Sequence, residues 1–169
     1  LFPFYLGHAV PLFCQPTVET RISRSFDYAF SGREETHPGA TPQLEFQTIG
    51  RHPFQVLGTT VRPIPLRHGQ LEVLGFRVGN VAYCTDTNRI PDDSWLLLQE
   101  LDVLILDGLR WRSHPTHFSV SEALQVVDRV RPRMTYLTHV NHELDYAKTN
   151  RQLPEHVELA YDGLRVPLT

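Results

Sequence analysis

At 169 residues the chain is the length of one domain, and its 41% hydrophobic and 21% charged residues are ordinary globular composition, which argues against disorder. With 16 lysines and arginines against 19 acidic residues, a net charge of -3 and a pI near 6.3, it lacks the footprint of a general nucleic-acid binder, so any phosphate must be met locally. Aliphatic runs such as Val103 to Leu106 are too short to span a bilayer, and no charged-then-apolar signal segment opens the chain.

Cys14 and Cys84 form no C-x-x-C pair, so neither a disulfide framework nor a thiolate zinc cluster is expected, and the expected location is the reducing cytoplasm. The first residue is Leu1 and the only methionine is Met134, which gives the expectation of further residues upstream.

Val10 to Cys14 is short, apolar and contains a proline, the pattern of an edge strand. Pro16-Thr17 opens an amphipathic helix in which Val18, Ile22, Phe26, Ala29 and Phe30 recur at three- and four-residue spacing. Residues 31–42 lack periodicity and read as a surface loop. From Leu44 to Cys84 the period changes to two, which predicts an antiparallel run of short strands with a hairpin turn at Gly79-Asn80. Strand and helix then alternate: a helix over 91–101, a buried strand over 102–107, a helix over 119–131 with a Ser119/Glu122 capping box, a strand over 134–138, a helix over 144–153, and closing strands over 157–161 and 164–167. The expectation is an α/β fold in a single domain, a mixed sheet covered by helices.

Four chemically capable residues share one placement, just past a predicted strand or just ahead of a helix: His68, Asp86, His117 and His139. Strand-end loops are where sheet proteins assemble sites, and neutral imidazoles with a carboxylate suit Zn or Mn. Each also has a plain structural reading. His68 before Gly69 is a possible turn residue, Asp86 a possible Asx-turn residue, His117 a contact to the helix N-terminus or a solvated side chain, and His139 with His142 a pair of solvated loop residues.

Taken together, the segments Pro63-Ile64-Pro65-Leu66-Arg67-His68-Gly69, Tyr83-Cys84-Thr85-Asp86-Thr87, Leu104-Ile105-Leu106-Asp107-Gly108-Leu109-Arg110, His114-Pro115-Thr116-His117-Phe118-Ser119 and Tyr136-Leu137-Thr138-His139-Val140-Asn141-His142 resemble a metallo-β-lactamase-fold hydrolase, over its C-terminal two thirds. Within that superfamily the chain is similar to the branch of the cyclic-phosphate phosphodiesterase of phosphonate breakdown. The resemblance implies a metallo-β-lactamase-like αββα sandwich lacking its N-terminal part, and two divalent ions, Zn or Mn. It implies that His68 ligates one metal, Asp86 bridges both and His139 ligates the other. His117 would be catalytic, meeting the substrate phosphate or protonating the leaving oxygen, with His142 and Asp107 orienting ligands behind. The implied substrate is a small-molecule phosphodiester, with no membrane or general nucleic-acid partner, and the protein a possible homodimer.

The family's H-x-H-x-D-H motif has no counterpart here; His8, His37 and His52 do not form it. The expectations are that it lies upstream of Leu1, and that the 169 residues alone bind metal poorly and are inactive. No G-x-S-x-G elbow, P-loop or glycine-rich fingerprint supports a serine hydrolase or nucleotide enzyme. The alternative of another class is a non-catalytic binding or scaffold domain that keeps the hydrolase shell without metals.

Overall fold

The computed structural model describes residues 6–30, 37 and 41–166. The chain divides into two compact units, residues 1–52 and 53–169.

In the first unit, strand β1 (Val10–Cys14) pairs in parallel with β2 (Leu44–Thr48) to make a two-stranded sheet. The sequence placed Leu44 at the head of an antiparallel run; the pairing is parallel because the long crossover between the two strands returns the chain to its starting end. That crossover includes helix α1 (Pro16–Ser25), which has proline in its first turn, where a missing N–H is harmless. The expected helix through Phe30 stops at Phe26, whose φ of -127° and ψ of 44° leave the helical region, and a 3-10 turn (Asp27–Ala29) follows. Most of the expected 31–42 loop lies outside the described residues.

The second unit is a seven-stranded mixed sheet in the order β3-β4-β5-β6-β7-β8-β9, comprising Phe54–Val56, Thr59–His68, Leu71–Val78, Val81–Cys84, Val103–Asp107, Met134–Thr138 and Val157–Leu159. Strands β3 to β6 form an antiparallel meander, with Val78 opposite Val81 across a two-residue turn in which Gly79 takes φ +54°. Strands β6 to β9 are parallel. Side-chain alternation sends Ala82, Cys84, Leu104, Leu106, Leu137, Val157 and Leu159 into one core with Val120, Ala123 and Val127 of helix α2 (Val120–Val130). Helix α2 starts where expected: Ser119 Oγ accepts the Glu122 N–H at 3.3 Å and Glu122 Oε2 accepts the Ser119 N–H at 2.8 Å. It ends at Arg131 in the left-handed region, followed by Pro132.

Three expected elements are smaller. The 91–101 helix is a 3-10 segment (Asp92–Leu98), because Trp95 to Leu98 are consecutive apolar residues without a helical stripe and Ser94 Oγ is tied to Pro65 O at 2.6 Å. Helix α3 covers only Tyr146–Asn150, capped by Asp145 Oδ1 on the Lys148 N–H at 2.8 Å. The last expected strand is absent over 164–166, and Pro167 lies outside the described residues.

Candidate metal centre

Strands β4 and β6 both run antiparallel to β5, and β6, β7 and β8 are mutually parallel, so the C-terminal ends of β4, β6, β7 and β8 lie along one edge of the sheet. His68 is the last residue of β4 and Asp107 the last of β7, while Asp86 follows β6, His139 follows β8, and His117 precedes the cap of α2. Topology alone brings these distant residues to one rim.

Side chains complete the convergence. His68 Nε2 stands 3.3 Å from His117 Nε2, and one ligand atom from each of His68, Asp86 and His117 lies within 4.8 Å of the others. His139 Nε2 is 3.8 Å from Asp86 Oδ1, and its ring stacks on that of His117 at 4.4 Å between centroids. The His68 and His117 nitrogens therefore face one small space that Asp86 and His139 also border. The donor set, imidazoles plus a carboxylate, fits Zn or Mn. Cys84 contributes nothing to it, since burial first, and then the charge of Asp107, push its thiol up to about 12 and keep it protonated.

Behind the donors sits Asp107, fully buried. Its Oδ2 accepts His117 Nδ1–H at 2.9 Å and the Thr87 N–H at 2.9 Å, and its Oδ1 accepts the Asp86 N–H at 2.8 Å. One carboxylate therefore fixes the ring of His117, turning Nε2 toward the cluster, and fixes the backbone that carries Asp86. Asp86 and His139 both adopt φ +58°, a region that L-residues with side chains visit at a cost of about 1–3 kcal/mol.

The resemblance sets His117 apart from the ligands, whereas the structure stands its Nε2 among theirs. His142 is exposed on the turn after His139 and makes none of the contacts that join the others. Sequence reasoning passed over Thr87 and Asn88. Thr87 Oγ1 donates to Arg67 O at 2.8 Å, and Asn88 joins Gly69 N (2.8 Å) to Pro115 O (2.9 Å), locking the turn after His68 to the loop before His117. Their signal was position alone, directly after Asp86. The ring of His114 lies tilted beside that of His117, 5.2 Å between centroids; desolvation first, then His117, Arg110, His68 and His139, push its pKa below the usual histidine range.

The sequence profile of the beta-lactamase superfamily domain matches residues 5–140. The chain belongs to this superfamily. Among solved structures, a diphosphatase of the PhnP family shares 35% sequence identity at a TM-score of 0.84, over 94% of this chain and 57% of that one, which supports the PhnP-like branch of this hydrolase fold. Zn2+-bound PqqB from Methylobacterium extorquens is 16% identical at a TM-score of 0.73, over 98% of this chain and 68% of its own, and the short form of human tRNase Z is 16% identical at 0.66, over 95% and 68%; both share the fold. An octanoyltransferase from Porphyromonas gingivalis is 30% identical over 156 residues, 90% of this chain and 31% of that protein. The superfamily member thus spans under a third of that curated relative and just over half of the diphosphatase. Among the described residues no helix is long and apolar enough to cross a membrane.

Proposed function

We propose that the chain is part of a metal-dependent phosphodiesterase acting on a small phosphodiester or cyclic phosphate. The observation that carries this reading is the convergence of His68, Asp86 and His139 on one rim with His117 beside them, its ring held from behind by a buried carboxylate. The likeness to a diphosphatase supports phosphoryl chemistry over thioester or lactam hydrolysis.

In this reading His68, Asp86 and His139 hold two divalent cations, Zn or Mn, together with histidines and an aspartate of an H-x-H-x-D-H motif that the 169 residues lack. Bound cations supply Lewis acidity at phosphoryl oxygens and acidify water. His117, kept in one orientation by Asp107, is placed to pass a proton from Nε2 to the leaving oxygen as water forms the new P–O bond and the ester P–O bond breaks. In this reading the 169 residues alone are inactive, and the whole enzyme is a cytoplasmic homodimer.

The test is metal analysis with turnover of bis(p-nitrophenyl) phosphate by the protein bearing that motif. Asp86→Ala should lose both metal and turnover. His117→Ala should keep its metal while kcat falls about 100- to 10,000-fold. Loss of metal from His117→Ala would make His117 a ligand instead, and a wild-type protein that binds no metal yet folds normally would be the non-catalytic scaffold.

A further inference from the structure

One carboxamide serves the chain neighbours of both His68 and His117. Asn88 Oδ1 accepts the Gly69 N–H at 2.8 Å, and Asn88 Nδ2 donates to Pro115 O at 2.9 Å. Gly69 directly follows His68 in the turn that joins β4 to β5, and Pro115 stands two residues before His117. The opposite orientation would set the NH2 group against the Gly69 N–H and the amide oxygen against the Pro115 carbonyl, so the side chain fits only one way round. Its root is fixed as well. The Asn88 N–H bonds Arg67 O at 2.9 Å, Thr87 Oγ1 donates to the same carbonyl at 2.8 Å, and the Arg67 N–H bonds Arg89 O at 3.0 Å, which stitches residues 87–89 to the end of β4.

The two histidines need this restraint for different reasons. His68 ends β4 opposite Leu71, and beyond it the hold on the chain passes from the strand ladder to the Asn88 oxygen. His117 is held at its ring by Asp107 and on its far side by the Phe118 N–H on Thr87 O at 2.8 Å. On its near side, the bonds of Thr116 to His114 Nδ1, at 3.3 and 3.4 Å, stay within the loop. Among the described residues, the Asn88–Pro115 bond is what ties that side to another element. The turn and the loop also touch: Gly69 takes φ +60°, and a Cβ there would stand 3.1 Å from Thr116 Cγ2.

We propose that Asn88 is a positioning residue with two separable arms: its oxygen keeps His68 turned to the metal by fixing the turn after it, and its nitrogen keeps His117 at the leaving oxygen by fixing the loop before it. The assignment rests on the hydrolase reading, in which His68 ligates and His117 passes the proton. Loss of the oxygen arm lowers metal affinity, since removing the support of a ligand costs about 10- to 100-fold. Loss of the nitrogen arm lowers kcat alone, since a misplaced proton donor slows the chemical step and leaves substrate binding as it was.

Two substitutions separate the arms in the protein bearing the H-x-H-x-D-H motif. Asn88→Asp keeps an acceptor for Gly69 and replaces the donor to Pro115 with a second acceptor; Asn88→Leu, of similar size, removes both. Three quantities are read: exchange of the Gly69 amide by NMR, Zn affinity by competition with a chelator, and turnover of bis(p-nitrophenyl) phosphate. Asn88→Asp should keep the amide protected and bind Zn at least as tightly as wild type, while kcat falls about tenfold at unchanged KM. Repulsion of the substrate by the added charge would instead raise KM. Asn88→Leu should expose the amide and weaken Zn binding about tenfold. A kcat for Asn88→Asp within about twofold of wild type, a loss carried in KM, or equal Zn affinity of the two variants would overturn the proposal. If Asn88→Leu fails to fold, Asn88→Asp still decides the nitrogen arm, and Asn88→Ser, too short to reach Gly69, replaces the leucine variant. A wild type that holds Zn but cleaves no phosphodiester sinks the hydrolase reading and the nitrogen arm with it, while amide exchange and Zn affinity still decide the oxygen arm.

Discussion

Asp107 and His117 meet at 2.9 Å in a buried pocket, and the carboxylate that receives the imidazole Nδ1–H also receives the backbone N–H groups of Asp86 and Thr87. A single side chain thus ties the end of β7 to the loop after β6 and to the loop before α2. Removing it leaves three donors facing a cavity. Asp107→Ala is expected to lower unfolding free energy by about 3–5 kcal/mol, since each stranded group keeps its desolvation penalty. Asp107→Asn, which retains one acceptor oxygen, should lose less. Urea denaturation of the metal-free variants measures both, and a loss of under about 1 kcal/mol for the alanine variant would contradict the bridging role.

His139 has a left-handed backbone, φ +58°, and sits on the exposed rim. Relief of that strain should make metal-free His139→Gly at least as stable as wild type, within about 1 kcal/mol, while His139→Val should be less stable by about 1–2 kcal/mol. Both variants should lose metal. Their separation in stability alongside shared loss of metal marks a residue retained for its side chain at the expense of its backbone.

Gly75 lies in β5 between β4 and β6, and a Cβ there would stand 2.8 Å from Tyr83 O and 2.9 Å from Leu66 Cδ1. The leucine methyl can yield, but the carbonyl belongs to the neighbouring strand. Gly75→Ala should therefore cost about 1–3 kcal/mol by overpacking. Gly50→Ala, with nothing within 4 Å of the new methyl group, should change stability by less than about 0.5 kcal/mol. Thermal denaturation of the two variants side by side checks the contrast.

Cys84 gives the protein a pH dependence on the alkaline side. Its thiol is held up to about 12 by burial and by Asp107, against about 8.5 in an unfolded chain. Below about pH 8.5 both states keep the proton and the group contributes no slope. Between there and about pH 12 only the unfolded chain releases it, so stability falls as pH rises, by about 1.4 kcal/mol per unit. Urea midpoints collected from pH 8 to 10.5 should fall more steeply for wild type than for Cys84→Ala. Parallel curves would show that the thiol is not held protonated.

Periodicity in the chain was enough to place β1, β6, β8 and helix α2, because each has a strong local signature: apolar alternation in the strands, and a Ser119/Glu122 cap followed by an apolar stripe in the helix. Local pattern could not tell that β2 pairs in parallel with β1, since alternation marks a buried face and not the direction of the neighbour. Nor could it show that Trp95 to Leu98 form a 3-10 turn, a choice made by the Ser94–Pro65 bond from another strand.

For the site, the sequence by itself determined which residue types stand at the strand ends, and so the chemistry available: imidazoles and a carboxylate, with no thiolate. Only the tertiary structure decided that these ends share one edge of the sheet, that His117 faces His68 with Asp107 behind it, and that Asn88 joins the turn after His68 to the loop before His117. Those relationships depend on distances between residues far apart in the chain, which are set by strand order and direction, and a one-dimensional pattern carries no measure of them.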